Sequence, residues 1–414
     1  MPIESGRRDT YLPRHMSAVN SRPCPVCGGL DRRKLYQQRF TEGPLCDSYD
    51  VVICRACGSG FADHIPSQKE MERYYAEKSK YSYDNAGGVE SEWDLNRFEA
   101  TADQIIPYLD SPKANILDIG CATGGLLSVL KRRGYGNVCG VDPSPICADA
   151  ANRIYGVRVR TAAMSNLSDW DERFDLILML GVLEHVGEVK TALQVASKLL
   201  NSGGRIYCAV PDVERLADCE NAPYQQFSVE HVNFFSRHSL ARVMAEAGLA
   251  EVRSWQWTVE WRKGIIEPVL SGLFGRTIGP IPKPDDKSTE GALERYLDFS
   301  RRGDERIYIA IEDLRTSQEP ILVWGAGTLT RRLLATTSFA DANIVAFVDT
   351  NPHIEGRSLA GRRIFHPRSV SERKEKIVIC SGSFVREIEE AARKQYGFEN
   401  PICSILGQDL EHRS

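Results

Sequence analysis

The sequence predicts an α/β protein with two sets of parallel strand–helix units behind a small metal-stapled module. Two observations carry this. Strand–glycine–helix–strand–Asp units recur near 116–142 and 321–349, and two Cys-x-x-Cys pairs precede both of them. At 414 residues the chain is too long for one ordinary domain, and about 150 residues per domain gives two to three. Hydrophobic residues make up 42% and charged residues 26%, the balance of a soluble globular protein. A net charge of −4 leaves no broad basic field, so nucleic acid is not an expected partner. No apolar run reaches the roughly 18 residues that a membrane span needs. The opening MPIESGRRDTYLPRHM has arginines but no apolar core, so residues 1–20 read as a flexible tail, not a signal peptide. Twelve cysteines, four of them in paired units, fit a reducing compartment such as the cytoplasm and a metal site, not a disulfide scaffold.

Residues 21–75 hold the cysteine pairs. A tyrosine-rich connector, YYAEKSKYSYDNAGG, leads into residues 76–275, where NILDIG, NVCGVD, FDLILML and GRIYCAV read as strands. GLLSVLKRRG and KTALQVASKLL carry apolar residues at helical spacing. The Pro/Gly/charge-rich GRTIGPIPKPDDKSTEG reads as a linker. It opens residues 276–414, with a helical stretch from ALERYLDFS to IAIEDLR, strands at ILVW, IVAFVD and KIVICSG, and a helix from Ser383 into the 390s.

Cys24-Pro-Val-Cys27-Gly28 and Cys54-Arg-Ala-Cys57-Gly58 form two knuckles. Each spacing sets two thiolates on one tight turn, and the glycine that follows permits positive φ, so backbone amides can face sulfur. Four thiolates in a tetrahedron suit Zn²⁺, with no coordination position left for substrate. A structural zinc in a zinc-ribbon-like module is the expectation, with Cys46 a bystander.

In Ile116-Leu-Asp118-Ile-Gly120-Cys121-Ala122-Thr-Gly124-Gly125 a strand ends in a glycine turn and a helix begins, the start of a Rossmann-like unit. Asp142, ending the next strand before Pro143, can accept hydrogen bonds from ribose hydroxyls. An acid before the glycines suits a cationic cofactor and would repel a pyrophosphate. S-adenosylmethionine, with its amino group and sulfonium, fits better than a dinucleotide. Here the sequence resembles the class I S-adenosylmethionine-dependent methyltransferases. The matching landmarks are the acid–glycine loop, Asp142, Phe174-Asp175, Val182-Leu-Glu184-His185-Val186, Gly203-Gly204 and the strand from Arg205 to Pro211. Two departures stand out: Ala122 replaces the middle glycine, and Ala162-Ala163 replace an acid often found after the third strand. The resemblance implies cofactor binding by Asp118, Gly120, Cys121, Ala122, Gly124, Asp142 and Pro143. Tyr74, Tyr75, Tyr81 and Tyr83 could close over the cofactor, packing between modules being preferred for the first two.

Methyl transfer needs a positioned nucleophile and often a base. His231, in Glu230-His231-Val-Asn233-Phe-Phe-Ser236, is the preferred base, paired with Glu230. His185 is read as base or site wall, Asn233 as a substrate contact or turn stabiliser, and Ser236 as the cap of the next helix. In the last segment, Trp324-Gly325-Ala-Gly327 with Asp349 makes a second glycine turn, and Thr330 stands in place of a third glycine. The order of zinc module, methyltransferase and second Rossmann-like domain resembles the sugar C-methyltransferase family, which acts on nucleotide-linked keto-deoxysugars. That implies a nucleotide sugar as partner, with Asn233, Gly325, Gly327 and Asp349 as substrate-binding residues. The family has a Tyr-x-His-Glu-His run where this chain has Phe227-Ser228-Val229-Glu230-His231, so O- or N-methylation of a sugar or other metabolite stands as the alternative. A nicotinamide-linked enzyme working at Asp349, or a non-enzymatic scaffold, are the competing classes.

Overall fold

The computed structural model of the chain describes residues 21–77, 89–219, 222–276 and 285–407. Residues 1–20 and linker residues 277–284 lie outside them. Within the described residues the short apolar runs become strands and the 3.6-period stretches become helices. Strands β1 (Arg32–Arg39), β2 (Ser48–Cys54) and β3 (Gly60–Asp63) form an antiparallel meander, and helix α1 (Gln68–Glu77) follows. The cysteine pairs occupy the turns before β1 and between β2 and β3, and Gly28 and Gly58 take φ of +78° and +79°, as the knuckle geometry requires.

The middle of the chain begins with α2 (Glu92–Ile105), whose first turn is capped by Ser91 accepting the Asp94 amide. Then come β4 (Ile116–Ile119), α3 (Gly125–Arg132), β5 (Val138–Asp142), α4 (Pro145–Tyr155), β6 (Arg158–Thr161), β7 (Phe174–Leu180), α5 (Val189–Lys198) and β8 (Leu200–Pro211). They are followed by β9 (Asn233–Phe234), α6 (Arg237–Glu246), β10 (Leu249–Arg262) and β11 (Ile265–Arg276). Ser236 caps α6 in a reciprocal box with Ser239, as expected. The seven-stranded sheet runs β6-β5-β4-β7-β8-β11-β10, parallel from β6 to β8, with β11 antiparallel to both neighbours. Strand order reverses between β4 and β7, which opens a crevice at their carboxyl ends.

The last part holds α7 (Thr289–Ser317), β12 (Ile321–Trp324), α8 (Thr328–Thr336), β13 (Ile344–Val348), β14 (Ser358–Leu359), β15 (Arg362–Phe365), β16 (Lys376–Ile379), α9 (Val385–Glu390) and β17 (Ile402–Ser404). Its sheet runs β14-β15-β13-β12-β16-β17, parallel except at β14, with a second reversal at β12. The α/β reading with two doubly wound units therefore matches the structure.

The segment boundaries drawn at 75 and 275 cut through shared structure. Strand β9 pairs with β3, so the N-terminal sheet takes its fourth strand from the middle segment. Cys24, Cys54, Cys57 and Phe61 share one core with Leu117, Ile177 and Ile206. Leu293, Tyr296 and Leu297 of α7 share another with Tyr49, Val51 and Phe227. Deeper in α7, Asp304 holds Arg332 in a buried bidentate pair, both bonds 2.7 Å, beneath the Tyr224 ring. Between knuckle and α7 the packing is tight at one glycine. A Cβ on Gly58 would run into the carbonyl oxygen of Asp286, whose own amide donates to Cys57 O at 3.1 Å. Gly58→Ala is therefore expected to lower stability by roughly 2–4 kcal/mol, from left-handed strain plus overpacking, read as a fall in thermal midpoint.

Candidate active site

The crevice at the β4/β7 reversal is lined first by acids. Asp118, near the end of β4, is only 4% exposed. Burial, reinforced by the Asp142 charge, pushes its carboxyl well above the usual range, and the Arg97 guanidinium pulls the other way. Gly120 turns the chain at φ +76°, where a Cβ would come within 2.6 Å of Val182 Cγ2, so the turn after β7 leans directly on the cofactor loop. Ala122 adopts φ +46°, the conformation its missing glycine would favour. Holding a residue with a Cβ there costs of order 1 kcal/mol of backbone strain. The Cys121 side chain is 7% exposed and packs against Gly140. Gly124 begins α3 at φ +82°.

Asp142 clasps the loop. Its Oδ2 accepts the Ala122 amide and its Oδ1 the Ser144 amide, each at 2.9 Å, which leaves lone pairs for a diol. Burial pushes this carboxyl up to about 6. Hydroxyl donors favour the ionised form, so S-adenosylmethionine affinity is expected to fall as pH drops through about 6, by up to tenfold per pH unit below it. Titration calorimetry across pH 5–8 checks this. In the unliganded chain the sign reverses. The folded state keeps a proton that the unfolded state releases between about pH 4 and 6, so this group makes folding less favourable as pH rises through that window.

Sequence reasoning missed Arg97, Trp261 and Glu90. The Arg97 guanidinium lies 4.0 Å from the Trp261 ring centroid. Arg97 Nε and Trp261 Nε1 are both buried without a hydrogen-bond partner among the described residues. Two unpartnered donors and a nearby buried acid fit the zwitterionic end of an amino acid, as S-adenosylmethionine requires. Glu90 seals the start of α3, accepting the Thr123 hydroxyl. One arginine on an ordinary amphipathic helix gives no distinguishing pattern, and Trp261 lies on a strand that the sequence reading did not identify.

Beyond Val182 the turn carries Glu184 and His185. His185 Nδ1 lies 3.0 Å from both the Tyr75 hydroxyl and the Glu230 carbonyl oxygen. Tyr74 donates to Glu230 Oε1 at 2.8 Å. The His231 ring stands edge-to-face on His185, centroids 4.9 Å apart. Glu184, His185 and His231 each place a side-chain N or O atom within 4.8 Å of the others. The Ser228 hydroxyl accepts the amides of Glu230 and His231 and so fixes this pair. The structure thus gathers His185, Glu230 and His231, and adds Tyr74, Tyr75 and Glu184. Tyr74 and Tyr75 meet edge to face, centroids 5.4 Å apart, and their hydroxyls tie α1 to Glu230 and His185 of the middle segment. Asn233 is not available to substrate: it is 3% exposed, and its amide donates to the Leu183 and Val186 carbonyls, both at 2.7 Å. Tyr81 and Tyr83 lie outside the described residues.

The four knuckle thiols lie within 4.8 Å of one another, with Cys24–Cys57 at 3.7 Å and Cys27–Cys54 at 3.5 Å. A zinc tetrahedron with Zn–S of about 2.3 Å has edges of about 3.8 Å, so the thiols already stand near the required spacing. The Gly29 amide faces Cys27 Sγ at 3.4 Å, as the knuckle geometry predicts. In the C-terminal unit the clasp at Asp142 recurs. Asp349 accepts the Ala326 amide at 2.8 Å and the Asn351 amide at 2.9 Å. Gly325 turns at φ +108° against the Cys380 carbonyl, while a Cβ on Gly327 would meet open space. Thr330 closes the turn through a 2.5 Å bond to Gly325 O, doing with a hydroxyl what a third glycine does by absence. The turn after β16 touches the 222–231 loop, where a Cβ on Gly382 would meet Gln225 Oε1 and Ala222, and it touches β10, where Arg262 lies over Phe384.

Residues 93–254 match the family described as Methyltransferase domain, and residues 317–401 match the one described as C2185-like, N-terminal. Over 94 residues the chain is 43% identical to a ubiquinone biosynthesis O-methyltransferase of Azorhizobium caulinodans, covering 22% of this chain and 37% of that protein. Over 126 residues it is 30% identical to a tRNA U34 carboxymethyltransferase of Campylobacter hominis, covering 29% and 42%. The matched segments thus span well under half of these relatives' lengths. Among solved structures, a magnesium protoporphyrin IX methyltransferase from Synechocystis PCC 6803 aligns at a TM-score of 0.40 and 12% identity, over 51% of this chain and 99% of that one. No helix among the described residues is long and apolar enough to cross a membrane.

Proposed function

We propose that the chain, whose residues 93–254 are a class I methyltransferase domain, moves the methyl group of S-adenosylmethionine to a nucleotide-linked keto-deoxysugar, at the carbon beside its ketone. The observation that carries this is the His185–His231–Glu184–Tyr75 cluster on a turn that leans on the cofactor loop through Val182. Asp118 and Arg97 hold the charged amino-acid end of the cofactor, and Asp142 holds its ribose hydroxyls. When bound, S-adenosylmethionine supplies an already activated methyl carbon. His231 takes the proton from the acceptor carbon, and Glu184 stabilises the imidazolium that results. His185 keeps the Tyr75 hydroxyl in place to steady the oxyanion as charge develops, supplying a polar donor where Phe227 and Val229 cannot. The second glycine turn, with Asp349, holds the nucleotide, since the turn after the neighbouring strand β16 meets the loop that leads to Glu230 and His231. A structural zinc sits among Cys24, Cys27, Cys54 and Cys57.

A second reading, O-methylation of a hydroxyl, is favoured by the segment 43% identical to a ubiquinone biosynthesis O-methyltransferase. Incubation with S-adenosylmethionine and a panel of nucleotide-linked keto and hydroxy sugars, scored by mass, tests both. Gain of one methyl with loss of a deuterium placed beside the ketone supports carbon transfer. Gain with that deuterium retained supports oxygen transfer. Absence of saturable cofactor binding would remove both readings.

A further inference from the structure

We infer that Arg22 is a positioning residue for the two histidines, clamping the N-terminal sheet onto the loops that carry them. Arg22 lies two residues before Cys24, in a stretch with no motif of its own. It is half-buried overall with its guanidinium enclosed. Nε donates to Ala62 O in β3 at 2.8 Å, and Nη1 to Gly187 O, just past His185, at 2.9 Å. Nη2 donates to Val232 O, next to His231, at 2.6 Å and to Asn233 Oδ1 at 2.9 Å. Its backbone amide donates to Asp63 Oδ1 at 2.8 Å, while Arg32 bonds both Asp63 Oδ2 and the Arg22 carbonyl. The two loops are also bonded to each other, Val232 N donating to Glu184 O at 2.7 Å. One planar fork therefore spans three segments: β3, the turn after His185 and the residues that follow His231. An ammonium, a single point of donors, cannot reach all of these acceptors at once. Arg22 touches no reacting atom and acts through the register it imposes on His185 and His231.

The inference rests on reading those histidines as working groups, and the test separates the two claims. The full chain, labelled with ¹⁵N-histidine, is compared with Arg22→Lys by long-range ¹H–¹⁵N spectra, with His185→Gln and His231→Gln used for assignment. In Arg22→Lys the ring-nitrogen resonances of both histidines are expected to move, while S-adenosylmethionine affinity stays within about threefold. A lower thermal midpoint with both histidine spectra unchanged would reduce Arg22 to a packing residue and overturn the inference. If Arg22→Lys does not fold, Asp63→Ala removes the acceptor of the Arg22 backbone amide and so frees the same arginine from its anchor, and the same two resonances must move. Unchanged turnover in His231→Ala would instead remove the working-group reading and leave the clamp untouched.

Discussion

His231→Ala is expected to lower methyl transfer by about 10²–10⁴-fold while leaving S-adenosylmethionine affinity within about twofold, the range for loss of a positioned base. The separation follows from the layout. His231 packs on His185 beyond Val182, whereas Asp118 and Asp142 line the crevice on its other side. Turnover on the accepted sugar, paired with titration calorimetry of the cofactor, measures the two quantities independently. Equal losses in both would mean that the alanine disturbs the crevice as a whole, and the base would have to be sought elsewhere. His185→Ala is the informative companion. Its Nδ1 meets the Tyr75 hydroxyl and the Glu230 carbonyl, so its loss loosens both neighbours. The expected defect is smaller and is shared between turnover and acceptor binding.

Removing the metal is expected to have the largest effect on the fold. Metal analysis of chelator-free protein should find one zinc per chain, and Cys57→Ser should abolish it. Structural zinc sites bind with apparent free energies of about 10–16 kcal/mol, comparable with or above the whole stability of a domain. Cys24, Cys54 and Cys57 lie in the same core as Leu117 and Ile206, so the loss cannot stay local. Chelation should lower the thermal midpoint of the entire chain cooperatively and disturb the Glu230–His231 loop through the β3–β9 pairing. A melt unchanged by chelator, or a chain without zinc, would overturn this.

The sequence made legible what depends on local periodicity and backbone chemistry. The strands ending at Ile119, Asp142 and Leu180, the cap at Ser236 and both knuckles follow from apolar runs, glycines and side-chain oxygens near the chain. What escaped depends on contacts between distant segments. The strand β10 escapes because only Leu249 and Val259 along it are buried, so its WQWTVEWR stretch lacks the buried runs that mark the central strands. Asn233 sits beside a histidine in sequence, and only the fold reveals that its amide is taken up by Leu183 and Val186. Tyr74 and Tyr75 read as packing residues without named partners, because nothing within the tyrosine-rich stretch records that Glu230 and His185 will meet them.

The pairing of Phe61 with Asn233 has a consequence for how the chain is made. The first three strands emerge from the ribosome about 170 residues before the strand that completes their sheet, and at typical synthesis rates that is roughly 10–30 seconds. Throughout that interval the outer side of β3 presents unpaired amides and carbonyls, a template for pairing with another nascent chain. A fragment ending before Asn233 should therefore self-associate at concentrations where the full chain does not. Late closure of that sheet makes translation speed through residues 64–234 a determinant of yield.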